Sequence, residues 1–94
     1  MKIEDVAKEG GQPRGTRARV LEFLNDRPDE VFRLRDSRHV ADTLGVPRRT
    51  AEHAFWSLAH DGLIAKARLG RQVWYGSHTA IEALTSLHPD TVPL

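Results

Sequence analysis

Hydrophobic residues along this 94-residue chain recur at helical spacing, then at strand spacing, then at helical spacing again. Residues 1–15 are polar and close on Gly10-Gly11-Gln12-Pro13-Arg14-Gly15, which reads as a flexible arm. Thr16 is the expected N-cap of a first helix. Its Ala18, Val20, Leu21, Phe23 and Leu24 turn inward, and Arg17, Arg19, Glu22 and Asp26 turn out, until Pro28 stops it. Val31-Phe32-Arg33-Leu34-Arg35 alternates apolar and charged residues over a length that suits only a short strand. A second helix, capped by Asp36 or Ser37, carries Val40, Ala41 and Leu44 on one stripe and closes on Gly45 as a left-handed C′ residue. Val46 is then the buried pivot of a tight turn. Pro47 opens the third helix, where its missing N–H leaves no hydrogen bond unmade.

The third helix is predicted from about Pro47 to His60, ending at Asp61-Gly62. With Ala51 facing inward, Ala54, Phe55 and Leu58 fall within about 60° of it at 100° per residue. Arg49, Glu52, His53, Trp56 and His60 fall on the other side. Leu63–Leu69 and Gln72–Ser77 read as two strands joined at Gly70-Arg71, a hairpin with a basic tip. Trp74 and Tyr75 alternate across the second strand, so one enters the core and the other stays half exposed. Thr79 and Glu82 form a capping box for a final helix with Ile81, Leu84 and Leu87 on one apolar stripe, packed on the first helix or on a second copy. Pro89 and Pro93 mark a loose tail over residues 89–94. The pattern amounts to one mainly helical α+β domain over residues 16–88.

Composition narrows what such a domain can do. At 39% hydrophobic residues there is one modest core and little apolar surface left for a buried substrate pocket. The absence of cysteine removes disulfides, thiolate zinc sites and cysteine catalysis. No glycine-rich phosphate loop, nucleophile elbow or paired carboxylate set is present, so no enzyme or cofactor is expected, and no small-molecule ligand can be inferred from the residues. The five histidines lack metal-ligand spacing: His53 and His60 share a helical face but stand two turns apart. No apolar run approaches the roughly 18 residues of a membrane span, and the N-terminus has no apolar signal core. A soluble cytoplasmic protein is the expectation.

The net charge of +1 hides a gradient. Residues 33–71 carry eight basic side chains (Arg33, Arg35, Arg38, Arg48, Arg49, Lys66, Arg68, Arg71) against Asp36, Asp42, Glu52 and Asp61, a net +4. Residues 1–32 carry a net −1 and residues 72–94 a net −2. Eleven of the fourteen cations are arginine, whose planar fork matches phosphates and guanine edges. The central charge suits a polyanion. A protein that reads B-DNA directly places a helix in the major groove, where each base pair has a distinct donor and acceptor pattern. Leu44-Gly45-Val46-Pro47-Arg48-Arg49-Thr50 supplies helix end, turn and helix start in seven residues, with two arginines and a hydroxyl at the forward end.

From Leu44-Gly45-Val46 through the third helix to Leu58-Ala59-His60-Asp61-Gly62-Leu63-Ile64, the chain resembles bacterial winged helix-turn-helix transcriptional regulators. In those families a Leu-Gly-Val turn precedes the recognition helix, which passes into the wing through Leu-x-x-x-Gly-Leu-Ile/Val. Val73-Trp74-Tyr75 after Gly70-Arg71 is similar to the second wing strand of ArsR-, MarR- and GntR-like DNA-binding domains. The resemblance spans residues 16–77. Two positions depart from it: Pro47 replaces a small hydroxyl residue, and Glu52 stands where many relatives carry a cation.

The resemblance implies a three-helix core with a β-hairpin wing and a C-terminal helix. It also implies sequence-specific binding of double-stranded DNA by a nucleoid-associated regulator, a repressor acting as a homodimer. Arg48, Arg49, Thr50 and His53 are the expected base readers. Arg38, Lys66, Arg68 and Arg71 are the expected backbone and wing contacts, and Arg14, Arg17 and Arg19 belong either to an arm for an adjacent groove or to a disordered stretch with no role. Trp56, Ile81, Leu84 and Leu87 are candidates for an interface, with Trp56 expected to be partly covered by the wing strands. A protein-interaction adaptor, or an architectural or plasmid- or phage-maintenance DNA-binding protein, is the alternative on the same fold.

Overall fold

In the computed structural model, which describes residues 12–94, four helices stand with a three-stranded antiparallel sheet in an α+β fold. In chain order these are α1 (Gln12–Asn25), a 3-10 turn (Leu34–Asp36), α2 (Ser37–Leu44), α3 (Arg48–His60), β1 (Ala65–Leu69), β2 (Gln72–Gly76), α4 (His78–Leu87) and β3 (Val92–Pro93). The sheet order is β2-β1-β3. The first helix begins earlier than the Thr16 cap suggested, so residues 12–15 belong to it rather than to an arm. Pro13 is tolerated because first-turn N–H groups have no intrahelical acceptor to lose. The rest of the expected arm, residues 1–11, lies outside the described residues.

Val20, Phe23 and Leu24 of α1, Val40 of α2, and Ala54, Phe55 and Leu58 of α3 bury a common core with Phe32, Ile64 and Tyr75. Four aromatic rings run through it. Phe23 meets Phe32 at 5.9 Å, Phe32 meets Phe55 at 6.3 Å, and Phe55 meets Tyr75 at 5.7 Å between centroids. Tilted and edge contacts of this kind add roughly 0.5–1.5 kcal/mol each beyond area burial. They tie the helices to the sheet through Tyr75, while Trp74 stays half-buried, as the alternation predicts.

The strand expected at Val31–Arg35 shrinks to one bridge, Phe32 with Tyr75, closed by N–H···O=C bonds of 2.7 and 2.6 Å. The Asp36 carboxylate accounts for this. It accepts from the Arg33 backbone N–H at 2.9 Å and from the Arg33 guanidinium at 3.0 and 3.2 Å, drawing the chain into the 3-10 turn. The same side-chain bonding to Arg33 holds the Asp36 carboxyl below its ordinary value of 3.8, against the opposing effect of burial. Asp36 sits at the N-cap of α2 without capping it through its side chain, and Ser37 is fully buried within the helix.

Two further expectations at the C-terminal end are corrected. The cap of α4 is Ser77, whose Oγ accepts from the Ala80 N–H at 3.1 Å, and not Thr79. Gly76, just before this cap, leaves room for the first turn of the helix. A Cβ there would stand 3.3 Å from the Ala80 Cβ and 3.2 Å from the Glu30 carbonyl. The tail is not loose: Val92 and Pro93 pair with Arg68 and Ala67 of β1, and the Leu94 N–H donates to the Lys66 carbonyl at 3.2 Å. Pro93 is admitted because β3 is an edge strand. A turn in which the Thr91 hydroxyl donates to the His88 carbonyl at 2.6 Å returns the chain to the sheet.

Candidate functional site

The approach to α3 is built by backbone geometry. Gly45 adopts φ 68°, and its N–H and that of Val46 both turn back to the Ala41 carbonyl, ending α2 as the sequence predicts. Val46 is half-buried in the turn. Pro47 holds an extended conformation, and its carbonyl accepts from the Thr50 and Ala51 N–H groups at 3.0 and 3.2 Å, starting α3 one residue later than expected. The Arg19 guanidinium donates to the Leu44 carbonyl at 2.6 Å, satisfying an end of α2 just before the turn. Arg17 bonds Asp61 at the far end of α3. Both arginines therefore clamp α1 to the α2–α3 unit and do not form a free arm.

The two faces of α3 separate as the periodicity predicts. Ala51, Ala54, Phe55 and Leu58 are all at 4% exposure or less. Arg48, Arg49, Thr50, His53, Trp56 and His60 are exposed. The forward end thus presents two guanidinium groups and a hydroxyl, but the two arginines are not equivalent. Arg48 Nε pairs with Glu52 Oε1 at 3.1 Å, one turn on, and Arg49 has no ion pair among the described residues. That pair is what Glu52 does among these cations.

Trp56 is not covered by the hairpin. It is 55% exposed and stacks on His60, rings 8° from parallel at 5.3 Å, with the His53 ring tilted to it at 6.1 Å. The outward face of α3 is therefore cationic at its start and aromatic along its later turns.

The β1–β2 hairpin turns at Gly70-Arg71, with Leu69 paired to Gln72 and φ 64° at Gly70, the position that a two-residue II′ turn reserves for glycine. Arg71 at the tip and Arg68 on β1 are exposed, and Lys66 is half-buried. Arg38 is exposed in the first turn of α2. Arg38, Lys66, Arg68 and Arg71 all lack an ion-pair partner among the described residues.

The C-terminal apolar stripe divides. Ile81 is 7% exposed and packs within the chain, Leu84 is half-buried, and Leu87 is 78% exposed. The helix lies on β1 and β2, not on α1, with Ala80 packed close over Gly76. Ile81 is therefore unavailable to a second copy. Among the described residues no group of three or more His, Asp or Glu side chains is placed to hold a metal ion, and no helix is long and apolar enough to cross a membrane.

One charged feature escaped the sequence pattern. Arg35 of the 3-10 turn and Lys66 of β1 line a common cleft with Leu34, Val73, Tyr75 and Leu94. Nothing in residues 33–35 read as a strand foretells it, because the cleft depends on the chain turning at Asp36 and on β3 closing the sheet. No protein-family model, curated protein or solved structure matches the chain, so its chemistry is read from its own residues.

Proposed function

We propose that the chain is a winged-helix protein that binds double-stranded DNA in a sequence-specific way, with α3 as the reading helix and the β1–β2 hairpin as the wing. The observation that carries this reading is the forward end of α3. Exposed Arg48, Arg49 and Thr50 follow a tight, hydrogen-bonded turn, while the opposite face of the helix is wholly buried. A helix so held can enter a major groove N-terminus first. Arg49, free of Glu52, is the leading guanine reader, and His53 stands one turn behind it. Arg38, Lys66, Arg68 and Arg71 supply phosphate contacts, so affinity falls steeply with salt. Leu84 and Leu87 of α4 are the apolar contacts of a homodimer, which suits a repressor bound to half-sites about 34–36 Å apart.

The test is fluorescence anisotropy with mixed duplex fragments at low and moderate salt. Binding that weakens with salt, and is lost in an Arg48→Ala, Arg49→Ala double variant, is expected. Salt-insensitive binding, or a double variant that binds as well as the parent, overturns the reading. The exposure of Trp56 favours a second reading, an adaptor that buries this face in a protein partner. It predicts no duplex binding at any salt.

A further inference from the structure

The face of the sheet turned away from α4 is apolar beyond what the core uses. Register places Lys66, Arg68, Val73, Tyr75 and Val92 on this side. Tyr75 joins the aromatic core, but Val92 remains 43% exposed, and nearby Leu34 and Leu94 remain 44% and 54% exposed. Between the sheet and the 3-10 turn lies a cleft of about 420 Å³ lined by Leu34, Val73 and Leu94 together with Arg33, Arg35, Lys66 and Tyr75. Its size falls within the range of small-molecule sites.

The polar groups of the cleft are unevenly used. Arg33 is occupied by Asp36 through two guanidinium bonds. Lys66 has no carboxylate partner among the described residues, Arg35 forms no ion pair among them although its charge helps to hold down the adjacent Asp36 carboxyl, and the Tyr75 hydroxyl makes no hydrogen bond to them either. Burial raises the Tyr75 hydroxyl above its ordinary value of 10.0, which keeps it a donor. Two unpaired cations and a hydroxyl donor thus adjoin an apolar surface. An inorganic anion would use the cations and leave Leu34, Val73 and Leu94 in water. A neutral apolar molecule would cover the leucines and strip water from cations it cannot pair.

We propose that this cleft binds a small organic anion with an apolar body, a carboxylate or sulfonate on an aliphatic or aromatic frame, its charge at Arg35 and Lys66 and its frame on Leu34, Val73 and Leu94. The assignment does not depend on the DNA reading, and its test contains no DNA.

The probe is 1-anilinonaphthalene-8-sulfonate, added to the full chain and followed by fluorescence and by amide shifts in nitrogen-15 correlation spectra. N-phenyl-1-naphthylamine, the same ring frame without the sulfonate, and inorganic phosphate are run beside it. The sulfonate is expected to bind saturably with shifts grouped at Leu34, Arg35, Lys66, Val73 and Leu94, and more tightly than either comparator. An Arg35→Ala, Lys66→Ala double variant that keeps the parent's circular dichroism is expected to bind about tenfold more weakly or worse. Arg71→Ala, at the hairpin tip outside the cleft, is expected to bind as the parent does. Equal binding of the neutral frame, displacement by phosphate at the same concentration, full binding by the double variant, or shifts grouped instead around Trp56 or Leu87 each overturn the proposal.

Discussion

The inward face of α3 carries Ala51, Ala54, Phe55 and Leu58, which touch α1, α2 and Tyr75 of the sheet; the outward face carries two arginines, three rings and one carboxylate, and is exposed apart from half-buried Glu52. The same thirteen residues therefore answer to two different constraints. Inward, volume and shape decide, because interiors are packed as densely as organic crystals. Outward, neighbouring charges and rings compete for one another as well as for any partner. Phe55 and Trp56 adjoin in sequence, and only the helical period separates a core residue from an exposed one.

The largest effect expected across this divide is at Phe55. It is fully buried, meets Phe32 edge-on and lies tilted against Tyr75, so Phe55→Ala removes two aromatic contacts and leaves a cavity. Such truncations cost about 3–5 kcal/mol, which reaches the lower end of the whole stability of a small domain. Urea unfolding followed by circular dichroism is expected to find the variant largely unfolded at 25 °C. Its neighbour supplies the control: Trp56→Ala, on the exposed face, is expected to shift stability by no more than about 0.5 kcal/mol. Equal losses at the two positions would erase the distinction between the faces.

Next comes the inequality between the arginines. Under the proposed function, Arg49→Ala is expected to weaken binding to a preferred duplex by about 1–3 kcal/mol and to relax sequence preference. Arg48→Ala is expected to lose less, since part of the Arg48 interaction is already spent on Glu52. Anisotropy titrations of the two single variants compare them directly. A larger loss at Arg48 would mean that the pair opens on binding and that Arg48 leads.

The inward face was legible in the sequence because hydrophobic period is a property of the chain alone. Ala51, Ala54, Phe55 and Leu58, the left-handed Gly45 and the Gly70-Arg71 turn follow from local pattern and backbone sterics. What escaped depends on contacts between distant segments. Arg17 and Arg19 look like spare charges until Asp61 and the Leu44 carbonyl are brought to them. Pro93 argues against a strand until β1 offers an edge on which its missing N–H does no harm. Ser77 takes the cap from Thr79 where Gly76, lacking a Cβ, lets the chain pass close to Ala80 and the Glu30 carbonyl. The candidate interface divides the same way. The exposure of Arg49, Arg68 and Arg71 was readable, whereas the Arg48–Glu52 pair and the Trp56–His60 stack depended on rotamers that spacing permits without requiring.

The Arg33–Asp36 and Arg48–Glu52 pairs sharpen the contrast between part-buried and solvated charge. Arg33–Asp36 is half-buried at the foot of the core and carries two guanidinium bonds and a backbone bond to one carboxylate. Because the folded-state value of Asp36 lies below 3.8, the pair stabilises the fold above that pH, and the stability is lost as pH falls through the depressed value. Thermal unfolding from pH 6 down to pH 2 is expected to find Asp36→Asn less stable than the parent by about 1 kcal/mol near neutrality. The gap is expected to close in acid. A gap that stays constant to pH 2 would mean that Asp36 acts through shape and not through charge.

The smallest expected change, and the one that joins stability to binding, is at Glu52. The Arg48–Glu52 pair lies on the outer face, its side chains 54% and 37% exposed, in the i,i+4 relation that contributes only about 0.3–0.5 kcal/mol to a helix. Here the order is also the poorer one, with the cation nearer the N-terminus, where the helix dipole disfavours it. Glu52→Gln is therefore expected to leave the urea midpoint almost unchanged. Its consequence lies outward: removing the carboxylate frees Arg48 and takes a negative charge from the proposed reading face. Duplex affinity is expected to rise, with a steeper dependence on salt. A variant that binds more weakly than the parent would show that Glu52 itself contacts the duplex, accepting from a cytosine amino group, and that the acidic position among the cations selects sequence instead of restraining Arg48.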